Sequence, residues 1–454
     1  MKDLTTSPIV KNILQMALPI VAGMFFQTLY FLIDLYFVAG LGDAAIAGVG
    51  AAGNVMFIVF AATQVLGVGT VTLISHAAGR KDQADANLVF NQSLSLAAVC
   101  ALLTLALGFI AGPYYVRTLG ASAATAAAGI EYLHWFLPSL ALQFALVAMG
   151  SALRGTGIVK PAMIVQVLTV VLNAVLAPVL IAGWGTGHPM GVAGAGFASS
   201  ISLAVGFIML AVYFHRLEKY VRFIRAQWRP QFAVWRRLLR VGLPAGGEFV
   251  LMFLLMAVLY WVLRPFGPDA QAGFGIGIRI MQSMFLPAMA VAFAAAPIVG
   301  QNFAAGKFAR VRETFMLATL IGSCIMVVLT LFCQWGSALV IHGFTKDPTA
   351  IAVGSQYLQV ISWNFLASGF VFTCSAVFQG LGNTVPALVS SASRLLSFVL
   401  PVLWMSRQPH FAMIHVWYMS VASVAVQAAF SLWLVRREFR LRLIAAPQPI
   451  PAVT

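Results

Sequence analysis

The feature that most constrains this chain is a repeat written in long apolar segments. The Leu-Pro pair at Leu18 recurs at Leu243, and the Tyr-Leu pair at Tyr132 recurs at Tyr357. Both recurrences have an offset of 225 positions, which is shared by Gly48 and Gly273 and by Gly155 and Gly380. A duplication of apolar segments is typical of secondary transporters, whose two halves move about a site near the bilayer midplane. The repeat therefore favours transport as the function.

Composition places the chain in a membrane. Of its 454 residues, 61% are hydrophobic and 9% are charged, which is too little charge to coat a soluble protein of this size. Apolar segments of 18 or more residues recur, each long enough to cross a hydrocarbon core of about 30 Å as a helix. We predict an all-α polytopic membrane protein with twelve transmembrane helices. The tenth span is predicted to run without interruption over residues 350–378.

The predicted spans divide into two six-helix lobes. Residues 1–215 form the N-terminal lobe, residues 216–240 a basic connector, and residues 241–454 the C-terminal lobe with a basic tail. Because six is even, both lobes enter the membrane in the same direction, and the repeat is parallel. The connector is expected to lie along the cytoplasmic lipid surface as an amphipathic segment.

The distribution of positive charge predicts the orientation. Of the 27 Lys and Arg residues, 21 fall on one side of the predicted spans. By the positive-inside rule this side is cytoplasmic and holds both termini, as expected for a bacterial inner-membrane protein. The net charge of +15 therefore reports topology and contact with anionic lipid, rather than nucleic-acid binding. The first apolar stretch is too long for a signal-peptide core, so we expect it to be retained.

Several short motifs carry a family resemblance. The first half contains Leu18-Pro19, a single Asp in span one followed by Ala39-Gly40-Leu41-Gly42, Ala78-Gly79-Arg80-Lys81-Asp82, and Arg154-Gly155-Thr156-Gly157. The second half contains Gly300-Gln301-Asn302, Gly306-Lys307 and Gln379-Gly380-Leu381-Gly382-Asn383. Together they resemble the multidrug and toxic compound extrusion (MATE) family over nearly the whole chain. The resemblance implies an exporter driven by protons or sodium ions, with a V-shaped pair of lobes around a central cavity.

Asp34 is the main candidate for cation coupling. It lies deep in the first span among apolar residues, where a charged side chain costs at least a few kcal/mol, about 2.5 on insertion scales. Burial disfavours the charged form, which suits a group that must gain and lose a proton. The resemblance implies the same role, because the coupling Asp of the family matches this position. A structural, hydrogen-bonded Asp is the alternative.

Asn173 and Ser199 extend this candidate site through the resemblance. Asn173 looks like the amide that neighbours the coupling Asp in the DinF-like branch, and Ser199 falls where that branch often has Thr. The branch has a second Asp before the span-five Pro, where this chain has Ala177 before Pro178. Losing one carboxylate removes a ligand and a charge from a sodium site, so the sequence favours proton coupling. Ordinary helix-to-helix hydrogen bonds are the alternative for both residues.

Glu248 is the second candidate acid. The NorM-like branch has a Glu about one turn deeper in this span, so its cation site does not carry over intact. We expect Glu248 to contact cationic cargo or a coupling proton, with an ion pair to a loop Arg at the cytoplasmic entrance as the alternative. Arg279 is expected to be structural, whereas Arg394 is predicted to face the cavity and to favour anionic or zwitterionic cargo.

Cargo contacts and hinges are predicted by proximity to these acids. Met and aromatic side chains suit amphipathic cations. Pro19 and Pro244 free backbone carbonyls early in spans one and seven and are predicted hinges. The small residues around Gly48 and Gly273 should allow close helix packing. The predicted substrate-cavity residues are Gln27, Tyr30, Met252, Met256, Tyr260, Met281 and Arg394.

Three other classes of function remain as alternatives. A flippase of lipid-linked saccharide precursors would share the architecture but should line its cavity with several Arg or Lys. A membrane enzyme would need clustered His, Asp or Glu at one face, and a channel would need rings of charge. The sequence has no Walker-type loop, so ATP is not the predicted energy source. We predict no cofactor and no metal, a small-molecule drug or metabolite and membrane lipid as partners, no nucleic acid, and a monomer.

Overall fold

The computed structural model describes residues 1–119, 122–344 and 346–444. In this part of the chain the structure is helical, with no strand. The α-helices of the first half are α1 (Ile9–Ala39), α2 (Asp43–Gly79), α3 (Gln83–Leu119), α4 (Ala123–Gly155), α5 (Lys160–Ile181) and α6 (Val192–Arg216). Those of the second half are α7 (Phe232–Leu263), α8 (Pro268–Ala304), α9 (Phe308–His342), α10 (Pro348–Ile361), α11 (Asn364–Gly380), α12 (Val385–Met405) and α13 (Met413–Phe439).

The membrane-spanning architecture is confirmed. Among the described residues, 11 helices are long and apolar enough to cross a membrane, and the number is 12 when α10 and α11 count as one bent span. The prediction of an uninterrupted tenth span was wrong, because α10 and α11 meet at an angle of 57°. Hydropathy predicts one continuous span here, because the residues on both sides of the break are mostly apolar.

Polar side chains of α9 stabilise this break. The carbonyl oxygen of Gln359 accepts a hydrogen bond from Nε2 of Gln334 at 2.8 Å, and that of Ser362 accepts one from Oγ1 of Thr330 at 2.9 Å. Gln334 also donates to the Ser362 hydroxyl at 2.8 Å. Backbone groups in an apolar medium need partners when a helix breaks, and α9 supplies them here. The bend is therefore a built feature of the second half.

The chain forms two compact units. The first contains Met1–Thr6 and Gln15–Gly246, and the second contains Ser7–Leu14 and the chain from Gly247 onward. Residues 216–240 thus belong to the first unit together with the first part of α7. The predicted scheme of 1–215, 216–240 and 241–454 stays a prediction.

Glycines mark the closest helix contacts within each unit. A Cβ atom at Gly48 of α2 would lie 2.7 Å from the backbone nitrogen of Gly129 in α4. The equivalent glycines of the second unit meet in the same way, since a Cβ at Gly354 of α10 would lie 3.1 Å from the carbonyl oxygen of Gly273 in α8. By contrast, Gly50 has no atom within 4 Å of such a Cβ. The repeat thus preserves one close backbone-to-backbone contact in each unit. It does not make every glycine of these helices a packing contact.

The connector between α6 and α7 is held by amide side chains of α3. Asn87 Oδ1 accepts from the backbone nitrogen of Arg222 at 2.7 Å, and Asn91 Oδ1 accepts from that of Ile224 at 2.9 Å. Asn91 also accepts from Nε1 of Trp228 at 3.0 Å and donates to the Arg222 carbonyl at 2.9 Å. Three more α3 residues bind the connector backbone in the same row: Gln83, Gln92 and Ser95.

The structure makes the link shorter than the expected connector, and contact of this segment with the lipid surface stays a prediction. Helix α7 begins at Phe232, so the true link spans only residues 217–231, and its single regular element is a short 3₁₀ turn at Arg225–Gln227. Arg236, Arg237 and Arg240, which we assigned to the connector, lie on α7 instead. The link is therefore a backbone segment docked on α3.

Candidate functional site

A polar cluster in the first unit surrounds Asp34. Asp34 and Tyr30 lie one turn apart on α1, Asn173 comes from α5, and Ser199 comes from α6. The Tyr30 hydroxyl donates to Ser199 Oγ at 2.5 Å. Nδ2 of Asn173 lies 3.4 Å from the Tyr30 hydroxyl and 3.5 Å from Ser199 Oγ. The structure thus brings together Asp34, Asn173 and Ser199, and adds Tyr30, which we had assigned to the cargo cavity.

Ser199 is the link between the cluster and the acid. Its Oγ lies 3.4 Å from Asp34 Oδ2 and 3.2 Å from the carbonyl oxygen of Ala195. A hydroxyl has one proton to donate, so it serves only one of these oxygens at a time. Because the Tyr30 hydroxyl is the donor in its hydrogen bond to Ser199, the Ser199 hydroxyl can donate either to Asp34 Oδ2 or to the Ala195 carbonyl oxygen.

Two acceptor oxygens of the cluster lack donors. Oδ1 of Asp34 and Oδ1 of Asn173 are buried and have no hydrogen-bond partner among the described residues. A buried, ionised carboxylate oxygen without a donor is costly. A proton on Asp34 removes that charge and supplies a donor to a group rich in acceptors. The geometry is therefore suited to taking up a proton.

The cluster continues along one face of α1. Gly23, Gln27, Tyr30 and Asp34 follow a spacing of four, three and four residues, which places them on the same side of a helix. Gln27 accepts a hydrogen bond from Nε2 of Gln166 in α5 at 3.3 Å. A Cβ at Gly23 would lie 2.8 Å from Oε1 of the same Gln166. A polar seam therefore runs between α1 and α5 from Gly23 to Asp34.

A second cluster lies in the second unit around Glu248. Ser375 of α11 donates to Glu248 Oε2 at 3.2 Å, and Ser391 of α12 donates to Oε1 at 3.4 Å. Gln427 of α13 donates to Ser391 Oγ at 3.4 Å. No ion pair to Glu248 occurs in the described part of the chain, and the role of Glu248 stays a prediction.

The repeat shows that the two clusters are not copies of each other. With the 225-residue offset, Glu248 corresponds to Gly23 and Ser391 to Gln166. In the first half the long polar side chain, Gln166, lies on α5 and faces a glycine of α1. In the second half the long polar side chain, Glu248, lies on α7 and faces a serine of α12. In the other direction, Asp34 corresponds to Leu259 and Asn173 to Phe398, both of which are buried in the apolar core of the second unit. Each half therefore carries its own acid at a different level of the same scaffold.

The remaining predicted residues are spread over both units. Gln27 and Tyr30 belong to the first unit, and the five other cavity candidates belong to the second. Met256 packs on the second core, Met281 accepts a hydrogen bond from the Tyr357 hydroxyl at 3.4 Å, and Tyr260 packs edge-on against Phe274. Met252 is exposed. Nε of Arg394 is buried and has no partner among the described residues.

Both predicted hinges lie inside unbroken helices. Pro19 lies within α1 and Pro244 within α7. Each Pro removes one helical hydrogen bond, but neither ends its helix. Their role as hinges stays a prediction. Sequence reasoning missed Ser375 and Ser391, because only the structure shows that Ser391 faces the acid at the position where Gln166 faces Gly23.

The fold and the site define a class before any comparison is made. An all-helical chain with up to twelve apolar spans, an internal repeat and a partly buried acid in each half is a membrane transporter of the secondary type. The MatE family model matches residues 19–179 and 244–405, once in each half, and the chain belongs to this family.

Known relatives and solved structures agree with this assignment. The chain is 26% identical over 408 residues to the multidrug export protein MepA of Staphylococcus haemolyticus, covering 88% of this chain and 87% of the relative. It is 24% identical to the FAD transporter of Shewanella oneidensis, covering 88% and 90%. A MOP superfamily transporter from Pyrococcus furiosus superposes with a TM-score of 0.90 at 25% identity, covering 98% of both chains. These relatives are transporters, not enzymes.

Proposed function

We propose that this protein is a proton-coupled antiporter that exports amphipathic, often cationic, drugs or metabolites from the cytoplasm by alternating access. The single observation that carries the proposal is the Asp34 cluster, with one acid, two acceptor oxygens without donors, and a Ser hydroxyl that links the acid to the backbone of α6. Export of small molecules is supported by relatives named as multidrug export proteins. These relatives do not favour the flippase alternative.

The composition of the cluster supports a proton over a sodium ion. Asp34 is its only acid, and Ala177 stands where the DinF-like pattern has a second Asp. Asn173 directs Nδ2 toward Tyr30 and Ser199, and the other oxygens of the cluster are neutral amide and hydroxyl groups, so Asp34 supplies its only negative charge. Hard cations need several oxygen ligands, whereas a proton needs one. We place the chain nearer the DinF-like than the NorM-like branch on the same grounds.

The cluster suggests how protonation changes α1 and α6. With Asp34 ionised, the Ser199 proton is drawn toward Oδ2, and the charge holds the two helices together. With Asp34 protonated, that attraction weakens, and the Ser199 hydroxyl can donate its hydrogen bond to the Ala195 carbonyl oxygen instead. The contact between α1 and α6 then loosens, and α1 can bend at Pro19. This coupling of proton to helix contact is the proposed drive for cargo release.

Transport in proteoliposomes tests the coupling. Efflux of a fluorescent cationic drug is measured under an imposed pH gradient and, separately, a sodium gradient. We expect efflux only with the pH gradient, and its loss in Asp34→Asn. Asp43→Asn is the matched control, because Asp43 is an exposed carboxylate at the start of α2. Equal efflux from Asp34→Asn, or efflux driven by sodium alone, would remove the proposal.

Cargo recognition is assigned to the second unit. The Glu248 carboxylate has only hydroxyl partners there, so it remains available to a cation, and Arg394 offers a donor to anionic or zwitterionic groups. Met252, Met256, Tyr260 and Met281 supply adaptable apolar surface, together with Gln27 and Tyr30 of the first unit. Binding of a cationic dye to Glu248→Gln tests this assignment, since weaker binding is expected without loss of the pH response.

The setting of this transport is proposed from charge and from the bacterial relatives. We place the protein in the bacterial inner membrane with both termini in the cytoplasm, following the positive-inside distribution. It acts as a monomer without a cofactor. Labelling of a single Cys added near Met1 from each side of sealed vesicles tests the orientation, and reaction only from the cytoplasmic side is expected.

A further inference from the structure

The first three turns of α7 have one packed face and one uncovered face. Val234, Leu238 and Val241 are buried in the first unit. On the opposite side, Phe232 is 76% exposed and Leu243 is 58% exposed. Exposed apolar residues are ordinary at the centre of a membrane span, but here they alternate with arginines. The outward face therefore combines charge with apolar surface at the start of a span, where the lipid headgroups lie.

This face forms a shallow cleft of about 570 Å³. Its six lining residues follow a spacing of three and one along α7, which places all of them on one side of the helix. Phe232 and Trp235 pack edge-on with ring centroids 5.5 Å apart at one end. The lining residues are Phe232, Trp235, Arg236, Leu239, Arg240 and Leu243.

The polar groups of the lining are all hydrogen-bond donors, and its charges are all positive. Arg236 and Arg240 lie one turn apart, and neither has an ion pair or hydrogen bond among the described residues. Their neighbour Arg237 differs, because Asp85 of α3 binds it at 3.1 Å. The indole Nε1 of Trp235 is buried and has no partner in the described part. None of the six side chains carries an acceptor oxygen, so the cleft is suited to an anion with oxygen acceptors.

We propose that this cleft binds one anionic glycerophospholipid. The phosphate lies between the guanidinium groups of Arg236 and Arg240, which match its oxygens in pairs, and the Trp235 ring lines the cleft beside them. An acyl chain follows Leu239 and Leu243 toward the bilayer centre. Basic pockets of membrane proteins recognise such headgroups at the cytoplasmic surface. The inference stands apart from the proposed proton coupling, because no residue of either acid cluster takes part.

The repeat supports a dedicated site on α7. With the same offset, Trp235 corresponds to Val10 of α1, Arg236 to Lys11, and Arg240 to Gln15. Gln15 is occupied by a hydrogen bond from Lys2. Trp235 and the second cation are thus present in one half only. Trp235 also packs on the apolar core of the first unit, whereas Arg240 is exposed and takes no part in that packing.

Quenching of Trp235 by brominated lipid tests the proposal. The full-length protein is placed in phosphatidylcholine vesicles that contain a minor fraction of brominated phosphatidylglycerol, and the difference from Trp235→Phe isolates the signal of this residue. We expect strong quenching by brominated phosphatidylglycerol and weak quenching by brominated phosphatidylcholine. Arg236→Gln with Arg240→Gln should weaken the preference by up to about thirtyfold, at roughly fivefold per arginine.

Matched variants separate this site from general surface charge. Arg225→Gln with Arg229→Gln removes the same charge from exposed positions outside the cleft and should leave the preference unchanged. Arg236→Lys with Arg240→Lys keeps the charge but loses the paired hydrogen bonds, so it should retain a smaller preference, between those of the Gln variant and the unchanged protein. Equal quenching by both lipids, an equal effect of the control variant, or displacement by soluble glycerol phosphate would each overturn the proposal.

Discussion

Replacing Gly48 by Ala should separate α2 from α4 and destabilise the first unit. The added Cβ would lie 2.7 Å from the backbone nitrogen of Gly129 and 2.7 Å from the carbonyl oxygen of Thr125, well inside ordinary van der Waals contact at 3.4–4 Å. Both atoms belong to the main chain of α4, so no side chain can turn away. Relief requires a shift of one whole helix, which opens the apolar contact on either side.

The expected magnitude follows from two opposing effects. Overpacking a closely packed site costs about 1–3 kcal/mol, whereas Ala gains up to about 1 kcal/mol over Gly in a helix interior. The net loss is therefore up to about 2 kcal/mol. For a unit of this size, each kcal/mol corresponds to a fall of about 2–4 °C in the apparent unfolding temperature. The structure therefore predicts a decrease of a few degrees from a single methyl group.

Thermal unfolding in detergent, followed by intrinsic fluorescence, measures this change. Gly50→Ala is the matched control on the same helix, because its Cβ would have no atom within 4 Å. That variant should be unchanged or slightly more stable, since only the helix propensity acts. Unchanged stability of Gly48→Ala, or an equal loss in Gly50→Ala, would refute the reasoning that backbone contact fixes the α2–α4 distance.

Three further outcomes follow from the clusters. Ser199→Ala should keep the fold but slow proton-driven efflux, because Asp34 loses its hydroxyl donor at Oδ2; Ser200→Ala, at a neighbouring position, is the control. Glu248→Gln should weaken binding of a cationic dye by at least severalfold and leave efflux of a neutral substrate intact, which paired efflux assays would show. Asn91→Leu should cost a few kcal/mol, since buried polar groups left unpaired cost about 1–3 kcal/mol each; faster amide exchange at Ile224, whose N–H donates to Asn91, checks it, and unaltered exchange there would contradict it.

Much of the fold could be predicted because lipid permits few structures. Apolar length and the repeat predicted twelve helical spans, and these are confirmed. The break at Ser362 could not be predicted, because hydropathy ignores the partners that Thr330 and Gln334 supply from another helix. The docking of the connector was missed for a related reason. Asn87 and Asn91 are one turn apart on an apolar helix, but the backbone they bind lies more than a hundred residues further along the chain.

The candidate site was predictable in part. An acid in an apolar span identified Asp34 from the residues alone, and resemblance supplied Asn173 and Ser199. Tyr30 was expected to touch cargo, yet its hydroxyl binds Ser199. The Ser partners of Glu248 were not predicted, because Ser is frequent in apolar helices and only tertiary structure shows which hydroxyl meets the carboxylate.

The docking of the connector on α3 has a consequence for how this segment can vary among related chains. The amides of α3 bind mostly peptide groups, which every amino acid except proline offers alike. Substitutions at the exposed positions of residues 217–231 should therefore vary in charge and size at little cost, whereas Val221 and Phe223 are constrained by the apolar core. Insertions and deletions should be rare, because one extra residue would shift every peptide group out of step with its amide. The length of this link should therefore vary less among related chains than the residues at its exposed positions.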